Sequence, residues 1–293
     1  MSIDPVTRQQ AIHLYDRFTH EGMQRRAFMG EMVKLAGSVA AAELLIAGIA
    51  ASPAASAIVP ADDKRLRATD VYVRLPGMHV YRAYLAMPRK AAPRASVVVI
   101  HENRGLNFHI RDVARRVALA GYTALAPDLL SPVGGTRGTE DEAREAIGRL
   151  DLAAATQDVV RLLGFLRSRK TSTGKVGAVG FCWGGGMIDG LAVAADGKLD
   201  AAVSYYGPAP DPSAAAKVQA PLLLHLAGLD QRVNATALPF ANALKAAGKV
   251  VEAYVYPGVN HAFNNDTSAE RYDKAAADLA WKRTLDFFRK YLG

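Results

Sequence analysis

The chain has 293 residues, half of them hydrophobic and 22% charged, with a formal net charge of +8. That composition excludes a disordered or fibrous chain and fits one large domain with an appendage. A single cysteine, Cys182, excludes an intramolecular disulfide and the paired-cysteine metal motifs. The positive excess lies beyond residue 60, because residues 1–60 carry five basic and five acidic side chains. No basic run is interleaved with aromatics, so no nucleic-acid groove is expected.

Residues 1–60 have two readings. Arg25 and Arg26, an Ala-rich stretch over 35–51 and the small residues Ala55, Ser56 and Ala57 resemble a twin-arginine export signal. Against this, Glu43 interrupts the apolar stretch, Glu31 follows the arginines, and Asp4, Asp16 and Glu21 precede or flank them. Ile12, Tyr15 and Phe18, then Phe28, Met32 and Leu35, recur at helical spacing, which predicts a retained helical arm. The arm goes with a cytoplasmic protein, the signal with a periplasmic one. An arm with one apolar face can pack on its own domain or on a second copy, so a homodimer through the arm is an expectation. No membrane span is expected, because residues 44–61 are proline-interrupted and poor in large apolar side chains.

From residue 61 to 293 short apolar runs alternate with helical segments. Residues 69–75 and 79–87 read as two antiparallel strands joined at Pro76 and Gly77. A β-branched run at 96–101 has the character of a strand buried on both faces, followed by a helix over 110–120 and a strand at 122–126. Residues 139–169 read as two helices split near 148–151. Strands follow at 175–181, 201–206, 221–227 and 250–256, with helices at 184–195, 235–247 and 269–292. The alternation predicts an α/β fold, a mostly parallel sheet covered on both faces, with ligands beyond the carboxyl ends of the strands.

The chemistry-bearing residues fall at those ends. Gly180-Phe181-Cys182-Trp183-Gly184 sits at a strand-to-helix junction, where a tight turn needs small flanking residues and exposes a nucleophile at a helix N-terminus. A buried structural cysteine is the plain alternative. Asp230 and His261 follow the next strands in the order nucleophile, acid, histidine, so the pattern is that of a Cys182–Asp230–His261 triad. The backbone N–H groups of Asn103 and Trp183 are the expected oxyanion donors. His101 and His225 lie within or beside apolar strands and read as packed core residues.

His101-Glu102-Asn103-Arg104-Gly105-Leu106, Ala126-Pro127-Asp128-Leu129, Gly180 to Gly185, Leu229-Asp230 and His261-Ala262-Phe263 together resemble the dienelactone hydrolase family, over residues 69–292. The resemblance implies an α/β-hydrolase fold, cleavage of a carboxylic ester or lactone through an acyl-enzyme, and a role for Glu102 as the partner of the resting cysteine. Family members acting on dienelactone carry an arginine shortly after the catalytic histidine; here Asn265 stands there. Arg104, Arg144 and Tyr206 are the substrate-binding candidates, with Arg137 a further arginine. No cofactor or metal is expected, and the partner is a small-molecule ester or lactone. The competing expectations are a non-catalytic binding or oligomerisation module on the same fold, and a thiol redox protein using Cys182.

Overall fold

The computed structural model describes residues 4–50 and 58–293. Strands β1 (Leu66–Val73) and β2 (Tyr81–Pro88) form an antiparallel hairpin. Strands β3 (Arg94–Ile100), β4 (Thr123–Pro127), β5 (Ser172–Phe181), β6 (Ala201–Tyr205), β7 (Leu222–Ala227) and β8 (Val251–Tyr256) run parallel to one another. The sheet order is β1-β2-β4-β3-β5-β6-β7-β8, with β2 antiparallel to β4. Val97, Val98, Val99 and Ile100 are all fully buried because helices cover both faces, which is why β3 shows no apolar alternation.

Helices α4 (Phe108–Leu119) and α9 (Lys274–Leu292) cover one face, packing Val113, Val117, Phe287 and Phe288 against Val97, Val99 and Val203. Helices α6 (Leu152–Ser168), α7 (Trp183–Ala194) and α8 (Gln231–Ala246) cover the other, where Leu163, Leu166, Ile188 and Phe240 meet Val98, Leu222 and Leu224. Helix α5 (Glu140–Gly148) lies between β4 and α6 and rests on Leu130. Two helix starts differ from the sequence reading. α8 begins at Gln231 because the Asp230 carboxylate accepts the Val233 N–H. α9 begins at Lys274, where Asp273 caps Ala276, and residues 266–272 instead form a turn anchored by Asn265 and Ser268.

The N-terminal residues fold as three helices, α1 (Pro5–His20), α2 (Arg25–Ala36) and α3 (Val39–Ile49). Asp4 and Ser38 cap α1 and α3, and Gly37, at φ 83°, supplies the left-handed turn that ends α2. Ile12, Tyr15, Phe18, Phe28 and Met32, picked out by their spacing, are buried with Leu45 and Ile49 in a core of their own. The Phe18 and Phe28 rings stack at 4.2 Å. Among the described residues no single helix is long and apolar enough to cross a membrane; α2 and α3 reach that only as a pair bent by 106°. The small residues at 55–57 lie outside the described residues.

This arm rests on the α/β body over the strand ends. Arg8 pairs with Glu270, Gln9 Nε2 donates to Asn260 Oδ1 at 2.7 Å, and Arg271 reaches Asp16 at 3.3 Å. Arg104 donates to the Tyr15 hydroxyl at 2.8 Å, Arg25 pairs with Asp141, and the Glu270 N–H donates to the Gly48 carbonyl.

Candidate active site

Strand β5 ends at Phe181 and α7 starts at Trp183, so Cys182 alone makes the turn, at φ 55° and ψ −116°. Positive φ in a residue with a Cβ costs on the order of 1–3 kcal/mol, which the surrounding packing must hold in place. The flanking glycines make that turn feasible. A Cβ on Gly180 would stand 2.1 Å from the Gly184 carbonyl oxygen, and one on Gly184 would stand 2.4 Å from that of His101. The turn is tied to β6 by the Cys182 N–H, which donates to the Tyr205 carbonyl at 2.9 Å.

His261, on the loop after β8, and Asp230, after β7, meet with Nδ1 to Oδ2 at 2.5 Å. Both are buried, and the carboxylate also caps α8. A carboxylate can only accept from the ring, so Nδ1 carries a proton and Nε2 faces the cysteine, within 4.8 Å of Sγ. Nε2 makes no hydrogen bond of its own. Burial raises the Asp230 carboxyl, but the His261 charge and hydrogen bond and the Val233 N–H outweigh it and hold Asp230 at about 2. Burial raises the Cys182 thiol, yet the charges of His20 and His261 bring it down to about 5. Burial alone would lower His261; Cys182 and Asp230 push it up instead. The site favours a thiolate–imidazolium pair.

The cysteine's hydrogen-bond partner comes from the arm. His20, the last residue of α1, places Nε2 3.1 Å from Sγ, and its ring lies edge-on to His261 at 4.8 Å. Thr19, His20, Glu102, Asn103, Arg104, Ala262 and Arg271 line a pocket of only about 10 Å³ above Cys182 and His261. That is room for one water.

Of the residues singled out from sequence, Cys182, Asp230, His261, Glu102, Asn103 and Arg104 meet here, and Trp183 opens α7 beside the sulfur. The family resemblance implies that Glu102 pairs with the resting cysteine, but in the structure its hydrogen bonds go elsewhere. Its carboxylate takes a 2.8 Å bond from Asn265 Nδ2 and a 3.5 Å bond from the Tyr206 hydroxyl. Asn265, the residue at which the sequence departs from the family's arginine, thus holds Glu102 aside. Tyr206, at φ 40°, packs its ring 5.0 Å from His261. Arg144 belongs to a different contact: its guanidinium stacks 4.0 Å from the Phe18 ring and bonds the Phe18 carbonyl, gripping the arm. Arg137, too, is turned elsewhere, to the Gly134 carbonyl. His101 and His225 are fully buried and hydrogen-bonded within the core. Sequence reasoning missed His20 and Arg271. Arg271 is buried, bonds Ser268 and Asp16, and lines the cavity from the turn that had been read as the first coil of α9.

A mostly parallel eight-stranded sheet with a strained turn after β5, an acid after β7 and a histidine after β8 defines an α/β-hydrolase. Residues 81–292 match the model of the dienelactone hydrolase family. The chain belongs to that family and is a hydrolase of its type. A Methylorubrum extorquens relative is 34% identical over 227 residues, covering 72% of this chain and 77% of its own. Carboxymethylenebutenolidase of Pseudomonas putida is 31% identical over 218 residues, 71% of this chain and 91% of its own. The structure of dienelactone hydrolase from Anabaena variabilis superposes with a TM-score of 0.61 at 22% identity, covering 78% of this chain and all of that one.

Proposed function

We propose that the protein hydrolyses a carboxylic ester or lactone by nucleophilic catalysis, with Cys182 as nucleophile, His261 as general base and acid, and Asp230 as the residue that orients the imidazole. The observation that carries this reading is the 2.5 Å His261–Asp230 bond that aims an otherwise unbonded Nε2 at a cysteine in a strained strand-to-helix turn. The thiolate attacks the carbonyl carbon, the carbonyl electrons move onto oxygen, and the Asn103 and Trp183 amides receive that charge. Collapse expels the alkoxide, protonated by His261, and leaves a thioester. Water then gives a proton to His261, attacks the thioester and releases the acid and the thiolate. Glu102, fixed by Asn265 and Tyr206, is a positioning carboxylate kept off the sulfur.

A cavity of about 10 Å³ holds no ester, whereas small-molecule sites occupy roughly 300–1,000 Å³. Turnover by this mechanism therefore requires the end of α1 to withdraw. Its departure would break the Arg104–Tyr15 and Arg271–Asp16 bonds, and both arginine side chains line the pocket beside the nucleophile. A substrate bearing a carboxylate fits them. The test is a stopped-flow reaction with p-nitrophenyl acetate: a burst of p-nitrophenol equal to the enzyme concentration supports the acyl-enzyme, and equal turnover by Cys182→Ala would overturn the cysteine mechanism.

A further inference from the structure

His20, Cys182 and His261 have the makings of a ligand set as well as of a catalytic contact. Their Nε2, Sγ and Nε2 atoms all lie within 4.8 Å of one another. Nδ1 of His20 faces the Asp16 carbonyl oxygen at 2.9 Å and Thr19 Oγ1 at 2.8 Å. A carbonyl can only accept, so Nδ1 bears a hydrogen and Nε2 is the atom turned to the sulfur, its lone pair open to a metal once that nitrogen gives up its proton. His261 repeats the arrangement with Asp230 behind Nδ1, and its buried Nε2 has no hydrogen-bond partner. Imidazoles that bind metals are held in this way, the far nitrogen donating to an oxygen.

We propose that these three residues form a site for Zn²⁺, and that the bound ion pins the arm over the nucleophile. One thiolate and two imidazoles, with no carboxylate among the donors, suit zinc rather than calcium or magnesium. Zn–S of about 2.3 Å and Zn–N of about 2.0–2.1 Å put tetrahedral donors roughly 3.3–3.6 Å apart, so the present spacing needs an adjustment of about an ångström. The pocket beside the three donors, about 10 Å³, accepts one water as the fourth ligand. Binding moves no electrons between oxidation states: the proton shared by the Cys182–His261 pair and the proton on His20 Nε2 leave to solvent, and the sulfur and ring-nitrogen lone pairs enter the metal bonds. Two of the three ligands are members of the proposed catalytic pair and the third belongs to α1. Occupancy therefore takes the thiolate out of service and closes the site in a single event.

The test uses the tag-free full chain, freed of metal with a chelator and titrated with Co²⁺ as a spectroscopic stand-in. The expected result is one equivalent bound, with a thiolate-to-cobalt charge-transfer band in the near ultraviolet and the strong visible bands of tetrahedral cobalt, both erased by added Zn²⁺. In Cys182→Ser the charge-transfer band should vanish. In His20→Ala the Zn²⁺ dissociation constant should rise at least tenfold, and circular dichroism should confirm that the body stays folded. No charge-transfer band in the wild type, or the same Zn²⁺ affinity in His20→Ala, would overturn the proposal. The readout is absorbance, so it stands or falls separately from ester hydrolysis.

Discussion

His20 Nε2 lies 3.1 Å from Cys182 Sγ although 162 residues separate them in the chain. The charges of His20 and His261 both act to lower the thiol against the effect of burial. The thiolate is the reactive form, so alkylation by iodoacetamide should rise with pH and reach half its plateau near pH 5, against about 8.5 for an ordinary cysteine. Removing the His20 charge leaves burial less opposed, so His20→Ala should move the midpoint upward. With only one cysteine in the chain, mass spectrometry reads the reaction at a single site. A midpoint that stays put in His20→Ala would show that His261 alone sets the thiolate.

The arm is held by its own core as well as by its contacts to the body. Phe18 stacks on Phe28 and takes the Arg144 guanidinium on its face, so Phe18→Ala removes both. Truncating a buried phenylalanine costs about 3–5 kcal/mol. Phe18 belongs to the arm's separate apolar cluster, so the loss should fall on the arm and leave the sheet intact. Modification of Cys182 by a bulky maleimide should accelerate at least tenfold, with little change in the far-ultraviolet melting of the body. An unchanged maleimide rate would show that the arm does not control access.

The sheet and the proposed triad were legible because each member sits on the loop or turn that follows a strand: Cys182 next to the end of β5, Asp230 three residues beyond β7 and His261 five residues beyond the end of β8. Strand periodicity, glycine and chain order are local signals, and they placed these residues without the structure. His20 carries no such signal. It ends an ordinary amphipathic helix, and its meeting with Cys182 depends on how α1 docks through pairs such as Gln9–Asn260 and Asp16–Arg271. Arg271 was hidden for a related reason. The apolar spacing of α9 continues backward past its true start, and only the Asp273 cap and the turn around Asn265 separate that residue from the helix.

Asp230 does two jobs that one substitution can separate. Its Oδ1 caps α8 through the Val233 N–H, while its Oδ2 accepts from His261. Asparagine is as good a cap as aspartate, so Asp230→Asn should keep the start of α8, and its stability cost should come from the lost charge pair with buried His261. Its amide cannot stabilise the imidazolium, and with NH₂ facing the ring it favours the wrong tautomer. kcat should therefore fall on the order of 10³–10⁴-fold with a small change in KM. A kcat within tenfold of the wild type would remove Asp230 from the mechanism.

Arg271 offers a way to separate substrate recognition from arm release. Its guanidinium holds Asp16 of α1 and lines the cavity, so Arg271→Ala both loosens the arm and removes a positive charge beside the nucleophile. The two effects act in opposite directions on different substrates. A neutral ester gains access and loses no charged partner, so its kcat/KM should hold steady or rise. A lactone carrying a carboxylate loses a charge-assisted hydrogen bond worth about 1.5–3 kcal/mol, which corresponds to a KM raised roughly 10- to 150-fold. Steady-state kinetics on a matched pair of neutral and carboxylated lactones reads the difference directly. Equal changes in KM for both would mean that Arg271 serves the arm alone and that the substrate carboxylate is met elsewhere or absent.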